Sequence, residues 1–112
     1  MSKHTLSTKL PRRAQENLCI VGEQIRLARR RRKIPISRIA KASSCSELTV
    51  MRIEKGVPSV SMGAYLRVLY ALQLDEDILL LAKDDPRGRL LQDSSLIKKK
   101  KKLEDREELV FD

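Results

Sequence analysis

Residues Ser37–Gly56, SRIAKASSCSELTVMRIEKG, decide the fold. Ile39 and Ala40 sit together on one face of a short helical piece that Ile36 begins, and Ser43 and Ser44 break it. Ser46 then offers a hydroxyl to orphan backbone N–H groups, which predicts the N-cap of a second piece. Val50 and Ile53, three apart, point inward there, and Gly56 with Pro58 ends it. Two short helices joined by a tight turn make a unit that presents one helix outward.

The pattern extends on both sides. From Leu18 it becomes helical, with Val21, Ile25 and Ala28 recurring on one face and Arg29–Lys33 closing the helix. Cations there complement the macrodipole. Pro35 favours a new start. Ser61 is a further N-cap, and Tyr65, Val68, Leu69 and Leu72 follow at i, i+3, i+4 and i+7. Asp75 caps a last short helix, DEDILLLA, whose apolar residues pack partly on the core and partly remain for a partner. Aromatics are 3% of the chain, so Leu, Ile, Val and Ala must build the core, which suits a helical bundle. The expected fold class is all-α. Five helices occupy residues 18–82, between a flexible basic arm (1–17) and a charged C-terminal tail (83–112).

The net charge of +9 is the footprint of a protein that meets a polyanion. The excess is not uniform. The arm carries four basic and one acidic group, the central domain eleven and six, and the tail nine and eight. The arm and domain therefore hold nearly all of it. Cys19 and Cys45 fit neither a disulfide framework nor a zinc spacing, and Cys45 reads as a small buried residue. No run approaches ~18 apolar residues. A cytoplasmic, reduced setting is expected, without metal or cofactor. The only histidine, His4, lies in the arm, and no nucleophile–base set or phosphate loop appears, so no enzyme is expected. The basic residues of the first helix do not oppose a clean apolar face, which weighs against a membrane surface.

Ile39-Ala40, Val50, Ile53, Glu54-Lys55-Gly56 and the Ala71-Leu72 plus Leu74 pattern together resemble the Cro/repressor-type (Xre-like) helix-turn-helix regulators over roughly residues 18–82. GEQIRLARRRRK (Gly22–Lys33), TVMRIEKG (Thr49–Gly56), PSVSMGAYLRVLYAL (Pro58–Leu72) and LDEDILLLAKDDPRGR (Leu74–Arg89) are similar to the HipB-type antitoxins encoded beside HipA-like kinases. The resemblance implies a repressor that binds palindromic double-stranded operator DNA as a homodimer, with a HipA-like kinase toxin or an associated small subunit as partner. A stand-alone regulator and an interaction adaptor are the competing readings. By resemblance, Glu54 pairs with Arg29 and clamps the first helix to the third. The chain departs from the family at Ser44, where Gly is common, at Ile36, where a Gln often reaches a phosphate, and at Glu47, usually polar or basic.

The exposed face of the recognition helix gives the expected DNA-binding set: Ser46, Glu47, Leu48, Thr49, Arg52 and Lys55. Arg52 has the fork for guanine O6 and N7, Glu47 accepts from cytosine N4, and Leu48 packs on a thymine methyl. Ser46 and Lys55 suit phosphates. Glu47 equally suits the helix dipole, and Met51 shares the face. Arg30–Lys33 read equally as a solvated face or as contacts to the DNA backbone. Ile78, Leu79, Leu80 and Leu81 are the expected dimer or partner contact. In the tail, Lys98–Lys102 can add phosphate contacts, and Leu109-Val110-Phe111 can dock into a partner's groove.

Overall fold

The computed structural model describes residues 9–95. Every regular element among them is helical. The elements are α1 (Arg12–Arg31), α2 (Ile36–Ser43), α3 (Glu47–Lys55), α4 (Met62–Ala71), a tighter 3-10 segment (Asp75–Leu80) and α5 over residues 86–95. The chain divides into two compact units, Met1–Ile78 and Leu79–Asp112.

In the first unit α1 packs against α3, and α2 against both α3 and α4. The core is Ile25 and Ala28 of α1, Ile39 and Ala40 of α2, Val50 and Ile53 of α3, and Ala64, Val68 and Leu72 around α4. Val50 and Ile53 are completely buried. Tyr65 and Leu69 pack on this core from its edge. Ser46 caps α3, its Oγ accepting from the Thr49 N–H at 3.0 Å. Ser61 caps α4 in the same way through Ala64, at 3.1 Å.

All four helices of this unit end alike. A left-handed residue comes after each, and the next N–H reaches back five residues: Ile34 to Arg29, Cys45 to Ala40, Val57 to Arg52 and Leu74 to Leu69. These are Schellman ends. Only the third uses glycine: Gly56 has φ +76, while Lys33, Ser44 and Gln73 take positive φ with a side chain. Ser44, at φ 57 and ψ 35, therefore adopts the left-handed conformation that disfavours a side chain.

Four expectations need correction. The first helix begins at Arg12, not Leu18, so Arg12–Asn17 belong to α1 rather than to a flexible arm. Pro11 starts it, Arg12 and Glu16 pair one turn apart at 3.2 Å, and Gln15 Nε2 donates to the Gly56 carbonyl at 2.7 Å. Val21 is exposed, and Gly22 takes its place on the buried face of α1. The segment after Asp75 is a 3-10 turn with no buried residue, so its leucines do not close the core. The expected charged tail contains a helix start near its beginning, at Asp85-Pro86. Asp85 Oδ1 accepts from the Gly88 N–H at 3.0 Å and Pro86 takes the first helical position. Within the second unit Arg89 also pairs with Asp84 at 2.7 Å. Lys98–Lys102 and Leu109–Phe111, like His4, lie outside the described residues.

Candidate nucleic-acid interface

The N-terminal end of α3 is held by the three-residue connection Ser44–Ser46. The Ser44 turn brings Cys45 onto the core. Arg67 of α4 then ties the connection down, Nε donating to the Ser43 carbonyl at 3.1 Å and an Nη to Cys45 Sγ at 3.7 Å.

The C-terminal end of α3 is held by α1. A Cβ on Gly22 would lie 2.5 Å from the Ile53 carbonyl oxygen and 2.7 Å from that of Glu54. Those are backbone atoms that cannot turn aside, so the two helices touch main chain to main chain. Gly56 is equally constrained: beyond its positive φ, a Cβ there would lie 2.7 Å from Cys19 Cα. Cys19 Sγ donates to the Lys55 carbonyl at 3.6 Å.

Between these ends sits the ion pair of Arg29 and Glu54. Arg29 Nε donates to Glu54 Oε2 at 2.6 Å and its Nη2 to Oε1 at 3.1 Å, a two-pronged contact. A third donor of Arg29 reaches the Ile34 carbonyl at 2.9 Å. The side chains are only 12% and 6% exposed. The hydrogen bonds that Arg29 donates to Glu54 raise its pKa above the ordinary value, against the opposing effect of burial. The pair expected from the sequence is thus formed, and it joins α1, α3 and the start of the α1–α2 connection. Among the described residues no buried side-chain nitrogen or oxygen lacks a partner.

With its inner face fixed this way, α3 turns Glu47, Leu48, Met51, Arg52 and Lys55 to solvent. At about 100° per residue these five span about 140° of the helix surface. Leu48 is 53% exposed. Among the described residues no carboxylate pairs with Arg52 or Lys55. One member of the expected set differs. Thr49 is half-buried, and its hydroxyl accepts from Ser46 Oγ at 2.9 Å, so both hydroxyls are engaged at the cap. Glu47 stands in the first turn, where a carboxylate complements the dipole.

An open groove of about 530 Å3 runs alongside, between α1, the first residue of α2 and α3. Sequence reasoning missed it, together with Gln15, Gly22 and Arg67 as supports of α3. Gly22 and Ala28, small residues beside Ile25 on the buried face of α1, were the available signal for close α1–α3 packing. Arg67 carried no such signal, because its targets are main-chain and sulfur atoms of another segment.

Leu79, Leu80 and Leu81, with Ile78 the expected partner contact, are 60–67% exposed, whereas Ile78 is half-buried. Among the described residues no group of His, Cys, Asp and Glu is placed to hold a metal ion, and no helix is long and apolar enough to cross a membrane. Comparison with family models, with curated proteins and with solved structures finds no match to this chain.

Proposed function

We propose that the chain is a sequence-specific DNA-binding repressor with a Cro/repressor-type helix-turn-helix, in which α2 and α3 form the motif and α3 enters the major groove. The observation that carries the reading is the outward face of α3. A helix clamped at both ends offers solvent an arginine, a carboxylate and a leucine within one stripe, in a chain of net charge +9. Such a face suits base edges: Arg52 on guanine, Glu47 on cytosine, Leu48 on a thymine methyl. Lys55 and the cap at Ser46 face phosphates.

The repressor acts as a homodimer on a palindromic operator, since one small domain grips few base pairs. Its resemblance to HipB-type antitoxins supports a role beside a HipA-like kinase toxin, with autorepression of the shared promoter.

Titrating duplex DNA from immediately upstream of the chain's own gene, against random duplex, tests the reading. Arg52→Ala should cost about 1–3 kcal/mol on the specific site and much less on random DNA. Equal, weak binding of the native chain to both duplexes would refute sequence reading.

A further inference from the structure

The groove beside α3 has a composition that its neighbours do not explain. Cys19 of α1, Ile36 of α2 and Met51 of α3 are its uncharged lining. Its charged lining is Arg26, Arg29 and Lys55 against Glu23 and Glu54. Arg29 and Glu54 neutralise each other. Arg26 is held by Glu23 at 3.1 Å, with both side chains well exposed. Lys55, on the opposite wall, has no carboxylate partner among the described residues. Arg30 extends the α1 wall from Arg26 at i+4 and is exposed.

Met51 and Lys55 belong at once to this groove and to the outward face of α3. A DNA strand bordering that face must therefore pass the groove. We infer that the groove seats a phosphodiester segment of the bound duplex, with Arg26 and Lys55 as its phosphate ligands and Glu23 as a competitor that occupies Arg26 in the free protein. This rests on the DNA-binding reading above. An exposed ion pair is held weakly, so a phosphate exchanges easily for Glu23. Ile36 offers a phosphate no polar group, so the two cations on either side are its ligands. No base edge is involved, so the contact adds affinity and salt dependence without specificity.

The test measures the affinity of the full chain for the specific and the random duplex at 50 and 200 mM salt, by fluorescence anisotropy. Each phosphate contact contributes roughly 0.9 to the salt slope, so Arg26→Ala and Lys55→Ala should each shrink the affinity loss over that range by about threefold, alike on both duplexes. Glu23→Gln should do the reverse, tightening both duplexes without altering their ratio. Glu23 is half-exposed and lies outside the core, so this gain does not depend on the fate of the alanine variants. Unchanged slopes in all three variants, with Arg52→Ala still losing the specific site, would overturn the groove contact and leave the repressor reading intact. Failure of the native chain to bind either duplex would overturn both.

Discussion

Glu54 is a carboxylate at 6% side-chain exposure, and its charge is tolerable only because Arg29 meets both oxygens. Isolated buried charges cost several kcal/mol, so the pair contributes less by its attraction than by what its rupture exposes. Arg29→Ala should therefore destabilise the domain by about 3–5 kcal/mol in chemical denaturation, against a total that for domains of this size is about 5–15 kcal/mol. Replacing both partners, as in Arg29→Met with Glu54→Leu, should recover most of that loss, because no charge is then stranded. A double variant as unstable as the single one would mean that the third bond, from Arg29 to the Ile34 carbonyl, carries the effect. This pair is legible in the sequence only through likeness to a known family. Neither spacing nor composition joins residues 25 positions apart.

At the scale of elements, the two capping serines and the inward faces of α3 and α4 can be read directly, because Ser46, Ser61, Val50, Ile53, Val68 and Leu72 act through local periodicity. The start of α1 cannot. Its first turn has no apolar residue larger than Ala14, and what holds it, Gln15 on the Gly56 carbonyl, is a contact 41 residues away in sequence. The start of α5 is hidden because Asp85-Pro86 looks like a breaker, whereas a capping aspartate before proline opens a helix. Val21 is apolar and so reads as inward-facing, but the closeness of α1 to α3 admits only a glycine on that line. Gly22→Ala settles which effect governs. Helix propensity favours alanine by about 1 kcal/mol. A methyl pressed against the carbonyls of Ile53 and Glu54 forces a backbone shift costing typically about 1–3 kcal/mol. Thermal unfolding should show a net loss of stability, and DNA binding should fall further than stability does, since the shift is applied to α3. A higher melting temperature would mean that α1 and α3 separate at no cost.

For the whole molecule, the proposed dimer makes Leu79–Leu81 the surface of most consequence, three leucines left to solvent at the head of the second unit. Leu80→Glu should leave helix content by circular dichroism unchanged, convert a dimer to a monomer in sedimentation, and weaken binding to a palindrome far more than to a half-site. A variant that remains dimeric would place the contact elsewhere. The ends of α1 to α4 bear on a different property. In three of the four the left-handed residue carries a side chain that disfavours it, and its immediate successor packs on the core: Ile34, Cys45 and Leu74. At these three ends the Schellman hydrogen bonds are offset locally by a left-handed residue with a side chain. The terminal apolar residue of each gains its burial only when the neighbouring helices are in place, so the three boundaries are stabilised together, while Gly56 stops α3 locally. Folding of this unit is thereby made cooperative by its own joints, and partly built forms gain little from having any one helix correct.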